Sequence, residues 1–491
     1  MFVSLMNLLP VVFVALGAMV SLAMEPFLKN ENKHKVLPWV AAGSLAFAAS
    51  SFALAQQDTL YDIFAMDPIR RLLGLTVILC AFLGVGGLQT TLAREKQEGG
   101  EPYGLLLLAT VGALLMTQAM DFVALFIGME LAAFPVYGLV GLRRTNHNGN
   151  EAVFKYFITN AVFSVVFLYG VSLIYGATGS SHFSGAILEG RTAIYYAGLI
   201  LVIFGLLFKA GAAPVHFWVA DVYTGAPVAV TGFMAAVVKV GALAALGSVW
   251  LGALVTRVGA APAWNLMEPV AVGGAPLKLG LLVLVVSMLS IVIGAFSGLM
   301  QKSIRRILAF SAVMNAGFIA LGLLLPDYAG TGSVQLGPMY FYLITYAIAS
   351  AGALIGVAAL SGKEDSKETL EGLRGSARRK PLEGFAIVIC LASLAGLPPA
   401  AGFLAKFTLF AGVFSAGWVV VGILGFVLSV VAAFYYIRIA AVLFAPAHSE
   451  ATTKPCCFSE SNVFLLRLGI VLAAFALLIL GIFPSVALIV A

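Results

Sequence analysis

Long apolar segments separated by short polar breaks follow one another along the whole chain. A helix needs about 20 apolar residues to cross the hydrocarbon core of a bilayer, and most of these segments reach that length. The pattern therefore predicts an all-α polytopic membrane protein with about fourteen transmembrane helices, numbered here as spans 1 to 14. The spans cover residues 5–26, 37–56, 72–93, 103–120, 122–142, 153–175, 193–213, 226–253, 278–300, 305–325, 338–361, 382–410, 414–444 and 463–488.

Two of these spans contain similar interruptions. In span 7, Pro214 follows Lys209 by five residues, and in span 12 the pair Pro398 and Pro399 precedes Lys406. Proline removes a hydrogen-bond donor and frees an upstream carbonyl, so broken helices in a membrane face protein or a cavity rather than lipid. The two breaks therefore indicate helices that form a site.

Matching broken helices in two halves of a chain are typical of inverted-repeat transporters. Five spans around each break make natural halves, one at residues 103–253 and the other at residues 278–444. We therefore expect one membrane domain over residues 1–491 that contains two inverted five-helix repeats, with spans 7 and 12 as the broken helices.

The composition excludes a soluble globular protein. The chain has 491 residues, of which 61% are hydrophobic and 10% charged. Average soluble domains carry about 25% charged residues. The net charge of +6 would suggest nucleic-acid binding in a soluble protein, but here the basic residues lie in short loops between spans. The charge therefore reports topology, and we expect no nucleic-acid partner.

The basic residues are distributed unequally between alternate loops, with eighteen in one set and five in the other. The larger set is Lys29, Lys33, Lys35, Arg94, Lys96, Arg143, Arg144, Lys155, Lys302, Arg305, Arg306, Lys363, Lys367, Arg374, Arg378, Arg379, Lys380 and Lys454, and the smaller set is Arg70, Arg71, Arg191, Arg257 and Lys278. By the positive-inside rule the larger set is cytoplasmic, and an even number of spans then places both termini on the outer side.

Four charged residues stand inside otherwise apolar spans: Glu130 in span 5, Lys209 in span 7, Lys239 in span 8 and Lys406 in span 12. A charged side chain at the bilayer centre costs roughly 2.5–3.5 kcal/mol on insertion scales, so such residues are rare and usually functional. The alternative is that the lysines reach to an interface or form structural pairs. The function that best explains all four is proton movement.

Glu130 and Lys209 are expected to act as a pair. Glu130 follows Asp121 by nine residues, which places it about 13 Å into the membrane at 1.5 Å per residue. A buried carboxylate and a buried lysine each control whether the other keeps its proton. We therefore expect a protonation switch near the membrane midplane.

Other polar residues are weaker candidates. His216, in the break after span 7, suits packing or helix capping as well as proton relay, and Tyr435 in span 13 could lead onward from Lys406. Asp221 is expected to hold the broken segment at the membrane surface. Arg143, with its neighbour Arg144 at the end of span 5, is expected to anchor that helix at lipid headgroups.

The sequence lacks the patterns of an energy-supplying or redox site. It has no phosphate loop ending in GK[ST] and no Rossmann fingerprint. Its four cysteines, including the adjacent Cys456 and Cys457, do not have the spacing of a zinc or iron–sulfur site. We expect neither a metal nor a cofactor in this chain, so its energy must come from an ion gradient or a partner.

Four stretches of the chain resemble the proton-pumping, antiporter-like subunits of respiratory complex I, the NADH-quinone oxidoreductase. They read FIGMELAAFPVYGLVGLRR followed by EAVFKYF, FKAGAAPVHFWVADVYTGAPVAVTGFMAAVVKVGAL, QKSIRRILAFSAVMNAGFIALGLL, and SLAGLPPAAGFLAKFTLF. The resemblance covers roughly residues 120–445. DVYTGAP stands where the sister subunits L and M usually read D-A-H-x-x-A-P, which favours the subunit N branch of the family.

The resemblance implies a role for each buried charge. Glu130 matches the glutamate that pairs with a helix-seven lysine, Lys209 matches that lysine, Lys239 matches a connecting lysine, and Lys406 matches the lysine near the far half-channel. The family often has a histidine where this chain has Asn315. Asparagine does not titrate, so Asn315 is expected to be at most a polar waypoint that acts with water.

The resemblance also implies partners and location. We expect a proton-translocating subunit of a bacterial inner-membrane NADH-quinone oxidoreductase, surrounded by lipids and other membrane-arm subunits, including antiporter-like neighbours. NADH, FMN, iron–sulfur clusters and quinone would then belong to partner subunits. Two other functions remain open from the sequence: a subunit of a multisubunit sodium/proton antiporter, and a subunit of a membrane-bound energy-converting hydrogenase.

Overall fold

A computed structural model describes residues 6–97, 99–143, 145–185, 187–188, 190–252, 270–272, 275–277, 279–325, 336–361, 365, 368–446 and 463–483. Arg144, Arg257, Lys278, Lys363, Lys367, Lys454, Cys456 and Cys457, together with the end of span 14, lie outside the described residues.

The described chain is built from helices. They are α1 (Leu9–Met24), α2 (Asn30–Ser51), α3 (Pro68–Glu95), α4 (Glu101–Gln118), α5 (Phe122–Val140), α6 (His147–Thr178), α7 (Thr192–Ala210), α8 (Val219–Gly225), α9 (Val228–Phe233), α10 (Lys239–Trp250), α11 (Leu279–Leu299), α12 (Ile304–Leu321), α13 (Gly337–Leu360), α14 (Ser376–Arg379), α15 (Pro381–Ala395), α16 (Ala401–Ser415), α17 (Val419–Phe444) and α18 (Phe464–Ile482). A π-helical turn, Met234–Val238, joins α9 to α10.

Short turns and hairpins complete the described structure. Two 3₁₀ turns, Glu25–Phe27 and Gly322–Leu324, follow α1 and α12. Two antiparallel hairpins lie between helices. Strand β1 (Asp58–Leu60) pairs with β2 (Phe64–Met66), with Asp58 opposite Met66, and β3 (Val270–Val272) pairs with β4 (Ala275–Leu277), with Val270 opposite Leu277.

Every predicted span is occupied by helix, and the predicted all-α membrane fold is confirmed. Span 8 contains α9, the π-helical turn and α10, and span 12 is divided into α15 and α16. Among the described residues, eleven helices are long and apolar enough to cross a membrane, and α15 and α16 are shorter apolar helices.

Side-chain caps fix the beginnings of several helices. The carboxylate of Asp67 accepts a hydrogen bond from the backbone N–H of Arg70 at the start of α3, and Pro68 occupies the first helical position. At the start of α5, Asp121 accepts from Val123 and Ala124. Such caps satisfy N–H groups that have no partner within the helix, so they set the depth at which each helix begins.

The broken helices end at glycine rather than at proline. Helix α7 ends at Ala210, and Gly211 adopts the left-handed conformation with φ of 69°. Helix α15 ends at Ala395, and Gly396 has φ of 80°. Glycine takes this conformation without the strain that a side chain would add. Each break therefore starts upstream of the prolines that predicted it.

The most buried helices form the centre of the bundle. The helix Val228–Trp250 is wholly buried, and α12 and α13 are almost so, whereas α6, α17 and α18 expose much of their apolar surface. Helices α11 and α12 approach closely: a Cβ on Gly294 would lie 2.6 Å from the backbone nitrogen of Met314. The buried lysines lie within or beside this central group.

Candidate functional site

Glu130 lies on α5 and is half-buried. Its Oε1 accepts a hydrogen bond of 2.5 Å from the Ser164 hydroxyl on α6. The amide of Asn160, one turn before Ser164, donates to Ser164 at 3.4 Å and to the hydroxyl of Tyr137 at 2.5 Å. The carboxylate therefore belongs to a polar cluster that joins α5 to α6.

Lys209 lies in the last turn of α7 and is 2% exposed. Its ammonium donates a hydrogen bond of 3.3 Å to the carbonyl oxygen of Met129, the residue before Glu130. Lys209 interacts electrostatically with Glu130, but these two described side chains form no direct ion pair. The structure brings the predicted partners together and leaves the ammonium held by a neutral carbonyl.

Lys239 directly follows the π-helical turn and is 1% exposed. Its Nζ donates to the carbonyl oxygen of Ala312 on α12 at 3.1 Å and lies 6.0 Å from the centre of the Tyr223 ring. A Cβ on Gly211 would be 3.4 Å from the same nitrogen. The Lys239 ammonium therefore lies against Gly211, which ends α7 two residues beyond Lys209 along the chain.

Lys406 lies on α16 and is 7% exposed. Its Nζ donates to the last carbonyl oxygens of α15, at 2.9 Å to Leu394 and 3.1 Å to Ala395. A Cβ on Gly396 would be 3.4 Å from this nitrogen. The C-terminal end of a helix carries partial negative charge and unpaired carbonyls, so it stabilises a cation there.

The two breaks have the same local design. Residues 210–214 read AGAAP and residues 395–399 read AGLPP, and in each the left-handed glycine lies against a lysine ammonium. Serine hydroxyls bind the loose backbone: Ser290 accepts from the N–H of Ala213 at 2.8 Å, and Ser393 accepts from that of Gly402 at 3.1 Å. The repeated pattern A-G-x-x-P is a signal in the sequence that the proline-based interpretation missed.

Asn315 lies at the centre of a hydroxyl cluster between the two breaks. Its Oδ1 accepts from the Tyr342 hydroxyl at 2.9 Å, and its Nδ2 donates to the Tyr436 hydroxyl at 3.2 Å. Tyr436 also contacts the hydroxyl of Ser311. The predicted candidate Tyr435 is buried beside this cluster, with its hydroxyl 3.8 Å from the sulfur of Met314. Tyr436, which the sequence reasoning missed, makes the direct bond to Asn315.

A small cavity connects the Asn315 cluster to Lys406. Its water-accessible volume is about 10 Å³, and its lining includes Asn315, Tyr342, Thr345, Ser393 and Lys406. A volume of this size is near the minimum that holds one water molecule, provided polar partners surround it. Asn315 and Lys406 therefore border the same small cavity.

His216 and Asp221 lie in the segment after the first break. His216 is half-buried and its carbonyl accepts from Val219 at the start of α8, while its Nδ1 makes no hydrogen bond to the described residues. Asp221 binds Lys155 on α6 at 3.0 Å and Arg306 on α12 at 3.5 Å. Asp221 therefore ties α8 to two neighbouring helices at the end of the bundle.

The expectation for Arg143 was wrong. Its guanidinium is 6% exposed, and Nη2 lies 2.5 Å from Glu95 and 2.6 Å from Asp365. The residue is therefore buried in an ion-pair cluster rather than placed at lipid headgroups. The sequence pattern near Arg143 shows a basic helix end, but it does not show that carboxylates 48 and 222 residues away fold against it.

Comparisons with known proteins place the chain in a family. Residues 119–432 match the model of the NADH:quinone oxidoreductase/Mrp antiporter transmembrane family. Relatives named NADH-quinone oxidoreductase subunit N include one from Myxococcus xanthus, 32% identical over 97% of this chain and 95% of the relative, and one from Deinococcus radiodurans, 34% identical over 98% and 95%.

Solved structures give the same result. A chain of respiratory complex I from Thermus thermophilus with bound aureothin superposes with a TM-score of 0.77 at 31% identity, covering 98% of both chains. A chain of the Mrp complex from Dietzia has a TM-score of 0.79 at 23% identity, covering 99% of this chain and 96% of its own, and this match shows the shared fold. The buried glutamate and lysines, the broken helices and these relatives agree: the chain belongs to the NADH-quinone oxidoreductase subunit N family of antiporter-like membrane proteins.

Proposed function

We propose that this chain is a proton-translocating subunit of a respiratory NADH-quinone oxidoreductase, in which Glu130, Lys209, Lys239 and Lys406 carry protons. The names of its relatives support the enzyme class. The observation that carries the proposal is the environment of the three lysines. Each ammonium is buried at a helix break and donates to backbone carbonyls.

This environment suits reversible proton binding. A backbone carbonyl stabilises a lysine ammonium through its dipole. When the lysine releases its proton, a neutral carbonyl remains, whereas a carboxylate partner would be left as an unpaired buried anion. Lysine can take both protonation states, whereas arginine stays charged. The mobile charge of Lys209 interacts with Glu130, and the state of one group biases the other. The chain thus provides stations whose charge can change in turn.

We infer an order of stations from the contacts. Ser164 orients Glu130, whose neighbour Met129 holds Lys209. The glycine at the end of α7 brings Lys239 next to the Lys209 segment, and Ala312 connects Lys239 to α12.

The same helix leads to the second break. Asn315 lies one turn beyond Ala312, and its hydroxyl cluster meets the cavity at Lys406. A water in that cavity would complete the hydrogen-bonded connection. Asn315, which does not titrate, would orient this water without itself storing a proton.

Energy for this movement would come from outside the chain. No group of three or more histidine, cysteine, aspartate or glutamate side chains gathers as a metal site within the described ranges. On this proposal, NADH, FMN, iron–sulfur clusters and quinone are held by partner subunits of the membrane and peripheral parts. We place the chain in a bacterial inner membrane, beside antiporter-like neighbours and lipids, with both termini on the periplasmic side.

The repeated A-G-x-x-P breaks support two inverted repeats. The first would cover residues 103–253 and the second residues 278–444, with α7 and α15 ending at corresponding points. In this arrangement Lys239 occupies the boundary between the repeats, since it bonds to α12 of the second one.

A sodium/proton antiporter subunit is the second candidate function, because the matching family model also includes Mrp antiporters. Affinity purification of the tagged chain from its native membrane separates the two. Recovery of a flavin- and iron–sulfur-containing assembly that reduces quinone with NADH supports the first function. Recovery of a complex without redox partners supports the antiporter, and nickel–iron partners would indicate a hydrogenase.

A further inference from the structure

We propose that Asp365 is a positioning residue for proton transfer: it holds the start of the helix that carries Lys239. This inference rests on the proposed function. Asp365 lies in the connection between α13 and α14, on the side of the bundle that the charge pattern predicts to be cytoplasmic. It is 5% exposed, which is unusual for an aspartate in a connection.

One oxygen of Asp365 joins three parts of the chain. Oδ2 accepts from Arg143 Nη2 at 2.6 Å and from the backbone N–H of Val228 at 3.2 Å, and Arg305 Nη1 lies 3.9 Å away. Arg143 follows α5, Val228 begins α9 and Arg305 lies in the first turn of α12. Asp365 is therefore the meeting point of segments from both predicted repeats.

Asp365 acts as an N-terminal cap for α9, although it is far from Val228 in sequence. Helix α9 has no side-chain cap of its own, because Pro227 occupies the capping position. An anionic acceptor at a helix N-terminus binds a free N–H and is favoured by the helix dipole. Arg305 donates to the carbonyl of Ala226 on the other side of the same break. The ion pair of Asp365 and Arg305 thus fixes both sides of the break between α8 and α9.

This cap is mechanically connected to Lys239. The helix from Val228 to Trp250 is wholly buried, and Lys239 lies eleven residues along it, about 16 Å from the cap. Helix α12 contacts this segment at two levels, through Arg305 at Ala226 just before the helix begins and through the Ala312 carbonyl at Lys239. Arg305 and Ala312 are seven residues apart, which places them on one face of α12. Release of the cap would let Lys239 shift relative to Ala312.

The surrounding charges keep Asp365 available for this role. Glu95 binds Arg143 through Nε at 3.0 Å and Nη2 at 2.5 Å, and Glu368 contacts Arg305. Burial raises the pKa of Glu368 to about 9, although Arg305 lies against it. A protonated Glu368 leaves two guanidiniums facing two carboxylates, Glu95 and Asp365. Oδ2 of Asp365 accepts from Arg143 and from the backbone N–H of Val228 within this cluster.

The test compares Asp365→Ala with Glu371→Ala in the purified, reconstituted complex. Glu371 lies in the same connection but is exposed, so it controls for a change in local charge. Proton pumping per assembled complex should fall in Asp365→Ala by between about fivefold and a hundredfold, because a misplacement of about 1 Å can cost a hundredfold. The pH at half-maximal pumping should also move, since Lys239 would lie in altered surroundings. Glu371→Ala should match the wild-type protein in both the pumping rate and the pH at half-maximal pumping.

Asp365→Asn provides a second variant. It keeps an oxygen that can accept from the Val228 N–H but loses the ion pair, so it should retain more pumping than Asp365→Ala. If Asp365→Ala does not assemble, Asp365→Asn replaces it in the test. A wild-type rate and pH profile in Asp365→Ala, or in Asp365→Asn when only that variant assembles, would overturn the positioning role. Lys239→Ala, measured in parallel, separates the two failures. Normal pumping by Lys239→Ala would overturn the proposed function. Impaired pumping by Lys239→Ala together with wild-type behaviour of the Asp365 variants would overturn only the Asp365 inference.

Discussion

The ammonium of Lys239 donates a hydrogen bond of 3.1 Å to the carbonyl oxygen of Ala312. This bond joins the wholly buried helix from Val228 to Trp250 with α12, which also carries Asn315. Because Gly211 lies against the same ammonium, Lys239 contacts the first break and the second half of the chain at once. It is therefore the natural connection between the two sets of polar residues.

Replacement of Glu130 by glutamine tests the first station. The variant keeps a hydrogen-bond acceptor for Ser164 but removes the charge that interacts with Lys209. We expect NADH-driven pumping in reconstituted vesicles to fall at least about tenfold, as loss of an acid–base group does. Glu151→Gln is the matched control, since Glu151 is half exposed and pairs with Lys155 at the helix surface. Equal pumping by both variants would remove Glu130 from the path.

The hydroxyl of Tyr436 is expected to matter more than that of Tyr435. Tyr436→Phe removes the 3.2 Å bond to Asn315 and the contact with Ser311. Tyr435→Phe removes a hydroxyl that contacts Tyr436, Ser311 and the sulfur of Met314 but is not the one bonded to Asn315. Both changes keep the ring, so packing is preserved. Proton pumping and quinone reduction should fall about two- to tenfold in Tyr436→Phe, in line with about 0.5–1.5 kcal/mol per hydrogen bond, and less in Tyr435→Phe. The reverse order would contradict the assignment of Asn315.

Gly396 and Gly417, two of the glycines with a left-handed conformation, provide a matched pair. They have φ of 80° and 79°, so alanine adds similar backbone strain at both, about 1–2 kcal/mol. At Gly396 the added Cβ would lie 2.8 Å from the Cδ of Lys406, whereas at Gly417 it would meet open space. Gly396→Ala should therefore reduce pumping strongly, and Gly417→Ala should lower only thermal stability. Similar pumping by the two variants would show that the Lys406 contact is not needed.

Glu368 predicts a pH dependence of stability. Burial raises its pKa from 4.5 to about 9, so the folded protein binds a proton that the unfolded chain releases between these values. Folded-state stability should then decrease as the pH rises from 4.5 towards 9. Glu368→Gln mimics the protonated form and should flatten this decrease, raising the unfolding temperature at pH 8 by about 2 °C or more. The unfolding temperatures of the wild-type, Glu368→Gln and Glu371→Gln complexes at pH 6 and pH 8 measure this difference, with Glu371→Gln as the control.

Much of the fold follows from local sequence. Apolar length predicts fourteen spans, and each contains helix among its described residues, because a span must satisfy its own backbone hydrogen bonds in lipid. The buried charges and the two breaks can also be read from short stretches of sequence. Each break begins earlier in the chain than the prolines predict, because Gly211 and Gly396 end their helices before the prolines.

The contacts around the lysines depend on distant segments and were not predictable in the same way. Lys239 meets Ala312, 73 residues away, and Arg143 meets Asp365, 222 residues away. Nothing in the neighbourhood of either residue specifies its partner. The sequence alone does not distinguish Tyr436 from Tyr435, because the rotation of α17 about its axis decides which of the two adjacent tyrosines bonds to Asn315.

The most direct measurement of the central claim is the number of protons pumped per NADH oxidised by the complex that contains Lys239→Ala. Quinone reduction is measured in the same vesicles, with and without an uncoupler. We expect fewer protons per NADH than in the wild-type complex, and no recovery in Lys239→Arg, since arginine keeps its proton. Wild-type stoichiometry in both variants, in a fully assembled complex, would contradict proton transfer through Lys239.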